Sequence, residues 1–376
     1  MTAPGPAIQK GSIFIYRVFD IAEEINLHRV TELLEQRARD SSKSGGSRLG
    51  LARSPRHALV MRAAPVRLSL GMLEVPIGGM LYPVEGFATI WDYGVVSILF
   101  TLSLDSGTPW SKLMALSDLL TDDRASNEAI DSLARQRAKE IREMLHDALQ
   151  APAERELLED YVIYFLEEIE GIKRGDELMD AVDVPALILG ETREELAEKS
   201  RAAILDTTVQ YAENDLVVID WNSAVVLEPS GQRDIADVIE FALTHLLEFR
   251  YYDDLLDARL GSLYDAIVSR RKSNWRFAQL AHEANSRFIE FSEFIERVDN
   301  SLKVVGDFYL AVVFRAAITR LRIRDWQASV TRKMNLLARV SELLQGEVNV
   351  RRGHTLEIIV IILIAFEIVS AILKSV

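Results

Sequence analysis

The residues best placed to do chemistry are the carboxylates of Asp253-Asp254-Leu255-Leu256-Asp257. On a helix, acids at i, i+1 and i+4 can hold magnesium against a diphosphate, as in isoprenoid synthases, which would make the chain a magnesium-dependent enzyme. That chemistry needs a second acidic cluster facing the first, and no second such motif is present. The alternative is that Arg250, Asp253, Asp254 and Asp257 form ion pairs along a helix face. His28, His57, His146, His245, His282 and His354 are scattered, and none belongs to a His-Glu-x-x-His pair. His245 and Glu248 have the spacing of a di-iron helix, but a second pair is missing. With no cysteine, disulfides and thiolate chemistry are excluded and a structural zinc site is not expected. Phosphate-binding Gly-rich loops and the Gly-x-Ser-x-Gly elbow are also absent from the sequence. The expectation is a protein that is not an enzyme, with no catalytic residue, cofactor or metal.

Two further carboxylates, Glu357 and Glu367, lie inside the apolar run Leu356-Glu-Ile-Ile-Val-Ile-Ile-Leu-Ile-Ala-Phe-Glu-Ile-Val-Ser-Ala-Ile-Leu373. At about 1.5 Å per residue the run spans roughly 27 Å as a helix, close to a bilayer's hydrocarbon core. It predicts a C-terminal transmembrane anchor over 355–373, with membrane lipid as a partner; a buried core helix or an oligomer stalk is the alternative. Arg351 and Arg352 precede the run and only Lys374 follows it. The positive-inside rule then puts the N-terminal body in the cytoplasm or an organelle's matrix, and the chain in an inner (cytoplasmic) membrane as a single-pass protein. A charge at depth costs about 2.5–3.5 kcal/mol, so Glu367 must be protonated, paired or facing another helix. That makes Glu357 and Glu367 candidates for oligomer contacts, or Glu367 for a carboxylate ring in an ion- or proton-conducting oligomer.

The elements that position these residues fall into two kinds. Up to about residue 230 the chain reads as α+β. Residues 12–19, 58–70, 161–169 and 184–189 are strand candidates, and 86–102 and 216–229 are hairpins turning at Asp92-Tyr93-Gly94 and Asn222-Ser223. Helices are expected over 25–37, 110–120 and 125–150, and a flexible Ser/Gly/Arg-rich loop over about 40–56. From Asp234 to Gly346 there is no proline and helical periodicity dominates. From Phe277 to Val305 apolar residues follow an unbroken 4,3,4,3 spacing, a coiled-coil signal, whether within the chain or between copies. Trp326, Val330, Leu337, Val340 and Leu344 continue a similar stripe, with Lys333 as its exception. The expected domains are 1–230, α+β; 231–354, helical and coiled-coil-like; and 355–373, the anchor.

The net charge of −14 is unevenly placed. Residues 311–354 hold nine Lys/Arg against three acids, so the acidic excess lies on residues 1–310. An acidic body argues against direct nucleic-acid binding. Basic residues next to an apolar run can meet anionic lipid or form an ordinary solvated helix face. The N-terminus lacks the apolar stretch of a signal peptide and the arginine-rich pattern of a transit peptide.

Asp92-Tyr93-Gly94-Val95-Val96, Leu247-Glu-Phe-Arg-Tyr-Tyr-Asp-Asp-Leu-Leu-Asp257, Asp299-Asn-Ser-Leu-Lys-Val-Val-Gly-Asp-Phe-Tyr309 and the closing Leu356-to-Glu367 run occur in this order. Together they resemble the "required for meiotic nuclear division" family, a domain of unknown function, over roughly residues 85–373. The resemblance implies an α+β plus helical body, a C-terminal membrane helix and self-association, and it supplies no catalytic residues. Organellar members of that family support mitochondrial translation at the inner membrane, which implies a ribosome-associated partner. The combined expectation is a membrane-tethered homo-oligomeric scaffold or adaptor.

Overall fold

The computed structural model describes residues 5–44, 50–52, 64–152, 157–268, 282, 286, 289, 292 and 307–375. The chain divides into two compact units, Met1–Tyr251 with Asn300–Arg324, and Tyr252–Asp299 with Asp325–Val376.

The first unit is built on β1 (Ala7–Asp20), a long strand lying between β6 (Val95–Ser103) and β9 (Leu158–Ile169). From β6 the sheet continues through β5 (Met80–Ile90) and β4 (Val66–Ile77) to the short β3 (Gly50–Ala52). From β9 it continues through β12 (Ser223–Leu227) and β11 (Leu216–Ile219) to β10 (Thr208–Val209). Neighbours along this path pair antiparallel except β12 with β9, which run parallel. Two-residue β7 (Thr108–Pro109) joins the start of β1, and β2 (Ala22–Ile25) pairs with β8 (Leu149–Pro152) in a separate small sheet.

The central strands are buried on both faces, which is why β6 reads as a nearly continuous apolar run rather than an alternation. One face carries Ile13, Ile15, Ile98, Phe100, Val162 and Tyr164 into the same core as residues of α2 (Trp110–Thr121), α3 (Arg124–Met144) and α5 (Val184–Leu189). Arg17 emerges on the α3 side, fully buried, and donates from Nε to Asp131 at 2.6 Å and from Nη2 to Asn127 at 3.1 Å. The opposite face lies under the first turns of α7 (Asp234–Val268) and under α8 (Phe308–Arg320). Here Trp91 stacks on Phe241 of α7 at 5.3 Å, and Phe241 on Phe314 of α8 at 5.5 Å. Helices α1 (Leu27–Ser44), α4 (Gly175–Ala181) and α6 (Glu198–Leu205) complete the unit. The second unit contains the remainder of α7 and α9 (Ile323–Ser375) from Asp325 onward.

Several expectations are corrected. The 184–189 segment is a helix, not a strand. Asp183 caps it by accepting from the Ala186 amide at 3.1 Å, Pro185 stands in its first turn and Gly190 closes it in the left-handed conformation. Those boundary residues outweigh the strand-like Val-Ile content. Within the proposed 40–56 loop, α1 runs to Ser44 and Gly50–Ala52 pair with β4; the rest of that loop and most of the 277–305 heptad run lie outside the described residues.

The transmembrane anchor is also corrected. The chain is a mixed α/β protein with a large sheet, and among the described residues no helix is long and apolar enough to cross a membrane. Glu357 and Glu367 interrupt the apolar run of α9, and a charge at depth in a bilayer is costly. The single-pass inner-membrane placement and the tail-anchor reading fall with it.

Gly94 illustrates how tightly the first hairpin is fixed. Its φ is +96°, and a Cβ there would meet the Ala22 carbonyl oxygen at 1.6 Å. Gly79 also has positive φ, at +77°, but has open space around it. Gly79→Ala should cost about 1–2 kcal/mol, the strain of the left-handed region alone, and Gly94→Ala more than about 3 kcal/mol, as read by chemical denaturation. Equal costs would show that the β1–β2 backbone does not press against this turn.

Candidate functional site

The register of the sheet lines up polar side chains in one row beneath α7. Arg67 on β4 pairs with Thr89 on β5, Thr89 with Ser97 on β6, Ser97 with Val18 on β1, and Val18 with Glu159 on β9. Directly paired residues share a face, so four of these five positions present polar groups to the helix. α7 answers with Asp237, Glu240, Thr244 and Glu248, at helical spacings of three and four, all buried.

The contacts are specific. Arg67 Nη1 donates to Asp237 Oδ1 at 3.2 Å, and its guanidinium lies 5.2 Å from the Phe87 ring centre. Burial pushes the Asp237 carboxyl up to about 7, with Arg67 pulling it down and Glu240 adding to the rise. Burial also raises Glu240, opposed by Arg67 and by the Ser97 and Thr89 hydroxyls. Those hydroxyls are near enough to favour the charged carboxylate but fall outside hydrogen-bond geometry. Thr89 Oγ1, Ser97 Oγ, Glu240 Oε1 and Arg67 Nη2 have no hydrogen-bond partner among the described residues. The Tyr16 phenol is fully buried and raised well above its usual range, first by burial and then by Glu240. Farther along, Thr244 donates to the Phe241 carbonyl at 2.7 Å and accepts from the Tyr93 hydroxyl at 2.6 Å, tying Asp92-Tyr93-Gly94 to α7. His245 Nδ1 donates to Phe241 O at 2.7 Å inside an aromatic box, and burial lowers its basicity to about 4, so the ring is neutral.

The residues singled out from the sequence separate into different places. Arg250 pairs with Glu159, the last polar member of the row; burial raises that acid to about 7 and Arg250 draws it back. In the second unit, Lys333 bridges Asp253 at 2.8 Å and Asp257 at 2.6 Å, and Ser329 Oγ donates to Asp253 at 3.0 Å. Asp254 is exposed and does not join them. The aspartates thus form a helix-to-helix clamp around the one cation in the α9 stripe. Among the described residues no group of three or more His, Cys, Asp or Glu could hold a metal ion. Glu357 lies 3.4 Å from His354 Nδ1, and Glu357 and Glu367 are both exposed. The side chains of Arg351 and Arg352 lie outside the described residues.

A cavity of about 210 Å³ opens between Glu228, Gln232, Asp234, Ile235, Asp307, Tyr309 and Leu310. Its acids are engaged locally: Asp307 caps α8 by accepting from the Tyr309 and Leu310 amides, and Glu228 accepts from the Ser230 amide at 3.0 Å. The row under α7 is closed to solvent, with Arg67 6%, Asp237 5%, Glu240 1% and Tyr16 1% exposed. The row therefore joins α7 to the sheet and does not line an open cleft.

With this geometry in place, the chain can be set beside known proteins. Residues 10–234 match the family described as "Uncharacterized protein MJ0711, N-terminal domain". The match covers more than half of the chain, which belongs to this family. Uncharacterized protein MJ0711 of Methanocaldococcus jannaschii is 21% identical over 224 residues, 58% of this chain and 67% of that one. No solved structure matches. The family match takes in nearly the whole sheet and ends at Asp234, the first residue of α7.

The Lys333 clamp yields a direct test. Lys333→Ala leaves the largely buried Asp253 carboxylate without its cation and should destabilise the protein by about 2–3 kcal/mol in chemical denaturation. Adding Asp253→Asn to that variant should recover about half of the loss. An additive double variant would show that the two residues do not interact.

Proposed function

We propose that the chain is a homo-oligomeric scaffold or adaptor that assembles through the end of α9. The observation that carries this reading is the exposure of Leu356, Ile358, Ile359, Val360, Ile361, Ile362, Leu363, Ile364, Phe366 and Ile368, each between 47% and 72%. Every residue from 358 to 364 is apolar, so the run surrounds the helix instead of forming one stripe. Apolar patches of this kind mark association surfaces, at roughly 25 cal/mol for each Å² removed from water. One neighbouring helix covers only one stripe. Several copies of the same helix, brought together by a closed symmetry, cover all sides at once. Glu357 and Glu367 would then be contact residues inside the bundle.

The ordered motifs, which resemble those of the "required for meiotic nuclear division" family, are in keeping with self-association. They also direct the search for a further partner toward the translation machinery. The acidic net charge of −14 favours a protein partner over bare nucleic acid.

Light scattering coupled to size-exclusion chromatography of the full chain and of a chain ending at Gly353 tests the reading. The full chain is expected as one defined oligomer and the shortened chain as a monomer. A monomeric full chain, or the same mass per particle for both, overturns it.

A further inference from the structure

We propose that Asp237 and Glu240 hold a single proton between them beside Arg67, and that this proton fastens the first turns of α7 to the sheet. Protonation of this pair tightens the helix on the sheet, and loss of its proton loosens it.

The geometry supplies the charge imbalance. Arg67 is the buried cation facing the two acids, and it hydrogen-bonds to Asp237 at 3.2 Å while Glu240 sits over the Thr89 and Ser97 hydroxyls. Arg233 stacks at the edge of the cluster, 4.8 Å from the Phe14 ring centre and 5.9 Å from that of Phe87, beside Asp234, so this outer pair nearly cancels. Tyr16, from β1, stays neutral, as does His245 one turn farther along α7. Beyond them Glu248 is buried on the same helix, and Glu159 pairs with Arg250. Two carboxylates around one guanidinium in a dry interface cannot both ionise cheaply, because each added charge is desolvated without a counter-charge of its own. Glu240 Oε1 has no hydrogen-bond partner among the described residues, so no donor is in place to hold a second negative charge there.

The direction follows from linkage. The docked carboxyls bind their proton more tightly than the same groups in an undocked helix, where they titrate near the ordinary range of about 4. Opening α7 between about pH 5 and 7 therefore releases this proton, but His245, neutral when docked, takes one up on opening below about pH 6.5; the full rise of about tenfold per pH unit shows where His245 is replaced by a group that does not titrate. Above about pH 7 the docked pair has also lost its proton, and the dependence flattens.

Hydrogen exchange of the amides from Val238 to Phe249, corrected for intrinsic rates, reads this opening in the full chain. Amides of β1 serve as an internal reference. In His245→Asn, which keeps a donor for Phe241 O and does not titrate, protection of α7 is expected to fall about tenfold per pH unit from pH 5 to 7, while β1 stays level; in the unsubstituted chain the fall is offset below about pH 6.5. With Glu240→Gln or Asp237→Asn added, each of which leaves one acid for Arg67, the slope should vanish. A flat profile in His245→Asn, a slope shared by β1, or a slope that survives when Glu240→Gln and Asp237→Asn are each added to it overturns the proposal. So does a slope that disappears only in Glu159→Gln, since it would place the proton at the Arg250 pair.

Discussion

The first unit depends on covering the second face of its sheet with a helix that is not apolar throughout. A sheet of this width exposes two faces to be buried, and α7 covers its share while carrying Asp237, Glu240, Thr244 and Glu248 inward. Each of those groups loses its hydration on docking, a loss that hydrophobic contact alone does not return. The sheet meets the requirement with polar positions in matching register: Arg67 under Asp237, Thr89 and Ser97 under Glu240, Tyr93 against Thr244. A one-residue slip in β4, β5 or β6 would turn these side chains to the α3 face and leave the acids over an apolar surface. The helix position and the strand register therefore specify one another.

That mutual specification shows what could be read from the sequence. β1, β6, β9 and both hairpins were legible because runs such as Ser-Ile-Phe-Ile-Tyr-Arg-Val-Phe are β-rich and the turns fall at Asp92-Tyr93-Gly94 and Asn222-Ser223. The parallel pairing of β12 with β9 was not legible, since no local pattern records which distant strand a hairpin joins. Val184–Leu189 misled because strand-like residues were weighed above the flanking Asp183, Pro185 and Gly190. The row under α7 was missed although it left a trace. Acids at 237, 240 and 248, with Thr244 and His245, interrupt a segment that is otherwise apolar, and a helix buried all round must meet partners for them.

The second unit shows the opposite relation between motif and chemistry. Asp253-Asp254-Leu255-Leu256-Asp257 has the spacing of a magnesium site, yet the fold uses its i and i+4 members to hold Lys333 and leaves the middle acid in solvent. Lys333 was visible in the sequence as a polar break in an apolar stripe. The two anomalies, an acidic triplet in one helix and a lone cation in another, explain each other only once the helices are side by side. A coordinating cluster requires its acids to converge, and here the third points away.

Several residues that marked this chain in sequence are spent internally. Gly94 is required by the closeness of Ala22, Tyr93 anchors α7, Arg250 pairs with Glu159, and Asp253 with Asp257 grips Lys333. In this structure those side chains are engaged with one another. The closing run of α9 is different, because its apolar side chains stand exposed with nothing among the described residues laid over them. The motifs of the body therefore specify the fold, and the surface of the terminal helix is where the molecule has binding energy left to give. That surface is what the proposed scaffold role rests on.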